Sequence, residues 1–303
     1  MYLLIVSRTL TVKEITWYIV SKLNTGSYKH ENRPRSHKTN ILKETTMSVK
    51  LLINGIAGAG KTQLLKSLGK ETFVVSRDAK EFNLPLPHML VDTYYGMDIL
   101  LYGGTVKNSE NEDTVIEGVV DKLNTYYEKI GHPPENVVID SVSQIFMDVI
   151  DSGAAVPDSW GSRGAFITKE MATLTKFIHE ELELNGINVI LLNHVINEKL
   201  EGNYTGNFLP FGQGKFLEKG GFYSTVNESV TIVPDGTHRI VHTRGDKKQA
   251  RTFLTDLPSK MYVANIDDPD KSKKLKEGEE YFNLKDHIAK LLANQNDVEE
   301  WRI

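Results

Sequence analysis

Eight consecutive residues, Gly55, Ile56, Ala57, Gly58, Ala59, Gly60, Lys61 and Thr62, match the pattern G-x-x-x-x-G-K-[ST] at each fixed position. Glycines lacking a Cβ let successive backbone N–H groups converge on an oxyanion, and the helix that follows adds its positive end. The chemistry implied is triphosphate binding. Lys61 reaches the β- and γ-phosphates, Thr62 holds Mg²⁺ through its hydroxyl, and the backbone from Gly55 to Gln63 cradles the phosphates.

Four further sets of residues carry candidate chemistry. Asn136-Val137-Val138-Ile139-Asp140 is a short apolar run ending in an acid, about eighty residues after the loop. Such a strand would set Asp140 beside Thr62 as a metal-supporting carboxylate. Asp78 and Glu81, after the run Thr72-Phe73-Val74-Val75-Ser76, are candidates for polarising the attacking water, with a solvated charged loop as the alternative. Asn193 and His194 end the run 188–195, and one of them would sense the γ-phosphate or orient water. Finally, 244–251 clusters four cations around one acid. Lys247, Lys248 and Arg251 are candidates to reach a nucleotide across a subunit interface, and a solvated charge run is the plain alternative.

These groups need a scaffold that brings strand ends together. The apolar runs at 49–54, 72–76, 136–140 and 188–195 read as strands, and 89–92 as a further short one. Helical spacing of Ile116, Val119, Val120, Leu123, Tyr127 and Ile130 predicts a buried helix face, as does that of Met171, Leu174, Phe177, Ile178 and Leu182. Ser141 reads as the cap of a helix over 144–150. The two runs 228–233 and 238–243, joined by Pro234-Asp235-Gly236-Thr237, predict a β-hairpin. The fold class is therefore α/β, a mostly parallel sheet with helices on both faces and a C-terminal β-hairpin.

Between these elements, 196–222 reads as a long loop in which glycines alternate with Tyr204, Phe208, Phe211, Lys215, Phe216 and Lys219. Glycines with aromatics and lysines suit a mobile loop that stacks bases and neutralises phosphates, and a flexible surface insertion is the alternative. Tyr94 and Tyr95 are candidates for stacking on a base or for the core.

Composition bounds the rest. The chain has 303 residues, no cysteine and a net charge of -4. Disulfides, thiolate metal sites and thiol nucleophiles are thereby excluded. No apolar run reaches membrane-spanning length, so a cytoplasmic protein without membrane partners is expected. Residues 1–46 differ from the remainder, with eight Lys/Arg against three Glu, a local balance of +5 that leaves -9 elsewhere. They read as a disordered or non-native N-terminal extension, with Met47 as the natural start. A basic nucleic-acid arm and an organellar transit peptide are the rivals. The segment 47–265 reads as one ATPase domain, and 266–303 as a polar tail with a short helix over 283–292.

Taken together, the loop, Ile139-Asp140-Ser141, Trp160-Gly161 before a long helix, Leu191-Leu192-Asn193-His194, the glycine-rich segment, the hairpin and the cation cluster resemble the RecA-like core. Within the wider AAA-type P-loop families, the set looks most like the small phage RecA-like recombination ATPases of the Sak-four group, over roughly 49–258. The resemblance implies an ATPase using ATP and Mg²⁺, forming homo-oligomers, and acting on single-stranded DNA beside a single-strand-binding protein. It places Asn193-His194 where RecA-like proteins carry a polar pair, and 196–222 at their second DNA-binding loop. A nucleotide-gated protein-binding switch with little turnover is the rival reading, and a small-molecule kinase a third for which no lid motif is found.

Overall fold

The computed structural model describes residues 47–77, 84–91, 93, 95–108, 110–151, 160–209, 221–245, 250–265 and 267–299. The expectations for 1–46, Asp78, Glu81, Tyr94, Lys247, Lys248 and residues 210–220 of the glycine-rich segment fall outside them.

In chain order, β1 (Lys50–Gly55) leads through the loop to α1 (Lys61–Leu64), then β2 (Thr72–Ser76) and β3 (His88–Leu90). Next come α2 (Met97–Tyr102), the strands β4 (Gly104–Lys107) and β5 (Asp113–Ile116), and α3 (Val119–Ile130). They are followed by β6 (Asn136–Asp140), α4 (Val142–Asp151), α5 (Trp160–Phe177) and β7 (Asn188–His194). Strands β8 (Ile196–Leu200), β9 (Asn203–Leu209), β10 (Glu228–Asp235), β11 (His238–His242), β12 (Lys260–Val263) and β13 (Tyr281–Phe282) precede α6 (Leu284–Glu299).

Nine strands form one sheet in the order β13-β12-β11-β10-β1-β7-β6-β2-β3. From β10 to β3 the pairing is parallel, while β11 is antiparallel to both β10 and β12. Parallel strands covered on both faces read as continuous apolar runs, which is why β1, β2, β6 and β7 were visible in the sequence. Side chains alternate across the sheet. Leu52, Phe73, Val75, Val137 and Ile139 pack on one face with Leu123, Phe146 and Phe177. Leu51, Ile53, Val74 and Val138 pack on the other with Leu64, Leu65, Ile288 and Leu291.

The local differences from expectation have physical causes. The helix after the loop is α-helical for only four residues, continues as a 3₁₀ turn over Leu65–Ser67, and stops before Gly69 at φ +76°. In α3 the buried residues are Val119, Leu123 and Tyr126, whereas Ile130 is half exposed in the last turn and Ile116 belongs to β5. The segment expected as a loop from 196 is a β-hairpin, β8 with β9, as far as Leu209. The segment expected as a polar tail adds β13 to the sheet edge, and it docks α6 through Leu284, Ile288 and Leu291 onto the layer that holds Leu64 and Leu65. An ion pair between Lys66 and Asp267 at 2.5 Å ties the two regions on the surface.

Candidate nucleotide site

The register of the parallel strands decides which polar residues meet. Asn54 lies opposite Asn193 and Gly55 opposite His194, while Asp140 lies opposite Leu192 on the other edge of β7. Strand β7 is thus inserted between the strand that leads into the loop and the strand that ends in Asp140. All these groups project at the carboxyl ends of the strands, where open parallel sheets place ligands.

The loop itself depends on its glycines. Gly58 and Gly60 have φ of +76° and +95°, a region that favours glycine. A Cβ on Gly55 would come within 2.8 Å of Ile232 Cγ2 on β10, so the loop leaves the sheet flush against its neighbour. Ala59 N donates to Ile56 O at 3.2 Å, and Gln63 N to Gly60 O at 3.1 Å, which closes the turn onto α1.

Lys61 is buried, 5% exposed. Its ammonium donates to Gly55 O at 2.8 Å and Ile56 O at 3.1 Å, and lies 3.2 Å from His194 Nδ1. Lysine has no acceptor, so Nδ1 accepts and the imidazole proton resides on Nε2 in this contact. The His194 backbone N–H donates to Ser143 Oγ at 2.9 Å, which fixes the strand end that carries the ring. Asn193 Nδ2 donates to Asn54 Oδ1 at 2.9 Å, and both residues are fully buried.

Thr62 Oγ1 donates to Asp140 Oδ2 at 2.7 Å, a contact between residues 78 apart in sequence. Asp140 is 3% exposed. A hydroxyl and a carboxylate oxygen this close, beside a phosphate-type loop, form a donor set suited to Mg²⁺, which takes few protein oxygens and completes its shell with water and phosphate. The residues present therefore fit both a triphosphate and its metal. Among the described residues no cluster of three or more His, Asp or Glu forms a metal cage.

The remaining candidates are distributed as follows. Asp78 and Glu81 follow Arg77, whose N–H donates to Asp140 O at 2.7 Å, while its side chain bonds Asp148 Oδ2 at 2.5 Å and Val91 O at 2.9 Å. The segment carrying the two acids therefore departs from a point fixed next to Asp140. Arg251 is placed at the other end of the sheet. It bridges Ser229 near the amino end of β10, and its guanidinium faces Val226 O, Asn227 O and the Phe253 ring. It does not reach this chain's own loop. Tyr95 is 45% exposed.

Two residues near the site were not singled out by sequence. Ser143 holds His194, while Ser141, its neighbour but one, caps α4 by accepting from Gln144 N at 3.2 Å. Arg239 on β11 lies against Gly60. Its position just after the Asp235-Gly236 turn gave no signal, since cations on hairpins are commonplace.

The chain matches no protein-family model and no curated protein. Among the solved structures that match, the RadB recombinase is 11% identical, with 72% of this chain and 87% of that one covered, at a TM-score of 0.40.

Proposed function

We propose that the chain is a RecA-like protein that binds and hydrolyses ATP and acts on single-stranded DNA, in phage-type recombination, annealing or replication. The observation that carries the nucleotide reading is the Thr62–Asp140 contact at 2.7 Å, across 78 residues of sequence, next to a buried Lys61. In this reading Lys61 leaves Gly55 O and Ile56 O for the β- and γ-phosphates, and Thr62 and Asp140 hold Mg²⁺. The metal supplies neutralisation of charge on the phosphate oxygens. Asp78 or Glu81 takes the proton of the attacking water, and His194 or Asn193 contacts the γ-phosphate.

The link to DNA follows from connectivity. Val195 alone separates His194 from β8, and its N–H donates to the Gly55 carbonyl that Lys61 also uses. At the far end of the segment, Phe222 is buried edge-on against Phe146 of α4, with ring centroids 5.1 Å apart. One end of the segment thus leaves from the nucleotide site, and the other is anchored in the core on the helix that follows Asp140, an arrangement that supports a segment reporting phosphate occupancy. Lys215 and Lys219, with the aromatics around them, would neutralise and stack the strand. Homo-oligomers, with Lys247, Lys248 or Arg251 reaching a neighbour's nucleotide, and a single-strand-binding protein as partner, complete the proposal.

A second reading is a nucleotide-gated protein-binding switch with little turnover. It is favoured by the β8–β9 hairpin, where Glu198 and Glu201 outnumber Lys199. ATP hydrolysis with and without single-stranded DNA, for the wild type and Lys61→Ala, decides between them. DNA-stimulated hydrolysis lost in the variant supports the first reading. ATP-dependent protein binding indifferent to DNA supports the second.

A further inference from the structure

We propose that Arg239 is a cation of the nucleotide site on the same chain, reaching from β11 to the phosphate chain of the bound nucleotide. The inference rests on the nucleotide reading and adds a residue to it.

Register places the arginine correctly. Thr231 of β10 is level with Asn54 of β1, and Arg239 pairs with Pro234, three residues further along β10. At about 3.3 Å per residue this puts Arg239 roughly 10 Å further along the sheet than Asn54, at the height of the loop. Its side chain crosses back onto the loop's last glycine. A Cβ on Gly60 would sit 2.4 Å from Arg239 Nε, 2.7 Å from Cδ and 3.1 Å from Cζ. The guanidinium group thus lies flush on the backbone of the residue preceding Lys61, and any side chain at position 60 would displace it.

Electrostatics gives the contact a direction. Among the described residues the guanidinium has no hydrogen bond or ion pair, and Arg239 is exposed. The carboxylate of the site, Asp140, is engaged by Thr62. Lys61 beside the loop and Arg239 lying against it are like charges that repel each other until an anion joins both. A guanidinium offers five donors in a planar fork that matches phosphate oxygens, whereas Lys61 offers a point charge. The two differ in kind and would grip different oxygens of the same chain.

Equilibrium titration of ATP and of inorganic tripolyphosphate onto the wild type, Arg239→Gln and Arg239→Lys tests the assignment. Arg239→Gln should weaken both ligands by a common factor of about ten, the low end for a charge-assisted contact at an exposed site. Arg239→Lys should recover part of that loss. Weakening of ATP alone would assign the contact to the base and overturn the proposal, as would unchanged binding of both ligands. Thermal denaturation of each variant shows that the fold is retained, which an exposed side chain without protein partners should allow. A wild-type protein that binds neither ligand would instead defeat the nucleotide reading itself.

Discussion

Replacing His194 by alanine should separate ADP from ATP. In the structure the acceptors of Lys61 Nζ include Gly55 O, Ile56 O and His194 Nδ1 at 2.8 Å, 3.1 Å and 3.2 Å, of which the histidine contact is the longest. A phosphate that recruits Lys61 must compete with each of these. The histidine contact exceeds the length of a well-formed charge-assisted bond, so we assign it the lower end of the usual range, about 1.5 kcal/mol. Without it, Lys61 is released more easily, and a ligand that draws the ammonium to its β-phosphate gains roughly tenfold in affinity. ADP takes the whole gain. For ATP, where His194 is the residue that contacts the γ-phosphate as proposed, the variant also loses that contact, of similar strength, and affinity should stay within about twofold. Titration of both nucleotides onto wild type and variant gives the ratio of the two Kd values. Equal changes for ADP and ATP, or weaker ADP binding, would refute the exchange of Lys61 between His194 and phosphate.

Other expectations follow from the same geometry. Asp140→Asn keeps an acceptor for Thr62 but removes the charge beside the metal, so Mg²⁺-dependent turnover should fall by about a hundredfold or more while the melting temperature changes little. Kinetics across a Mg²⁺ series with parallel melts would show it, and unaltered turnover would exclude Asp140 from the metal site. Gly60→Ala forces a side chain into φ +95° and against Arg239, and should cost about 1–2 kcal/mol of stability by denaturant titration. His287, 3% exposed on α6, has its pKa pushed down by burial, and by the nearby Lys290, to about 4. The unfolded imidazole titrates near 6.5, so between these values the unfolded chain binds more protons and stability rises with pH. The protein should be roughly 2 kcal/mol less stable at pH 5 than at pH 7 on this account, with the slope absent in His287→Phe. Denaturation at both pH values measures it, and equal slopes would assign the acid sensitivity elsewhere.

The parts of the site legible in sequence were those on doubly covered strands. The runs ending in Asn54, Asp140 and His194 are apolar because both faces are buried, and their polar ends stand out against that background. Pairing was not legible. Nothing local says that β7 lies between β1 and β6, yet this insertion brings His194 to Lys61. The β4–β5 and β8–β9 hairpins escaped notice because they stand outside the main sheet. Strands such as Gly104–Lys107, alternately half-buried and exposed, carry no apolar run. A short helix was expected over 283–292, but the docking partners of its Leu284, Ile288 and Leu291, Leu64 and Leu65, are more than two hundred residues away. Arg239 was invisible for the same reason: its meaning lies in the contact with Gly60, not in its neighbours along the chain.

The docking of α6 has a consequence for how the site comes into being. Four α-helical residues and one 3₁₀ turn are too few to hold a helix by their own hydrogen bonds. The element that presents Lys61 and Thr62 is held instead by the apolar layer that Ile288 and Leu291 complete. On the ribosome the phosphate cradle is made early and its buttress late. A nascent chain would carry the whole motif through most of its synthesis before the layer over Leu64 and Leu65 is complete, which happens when α6 emerges.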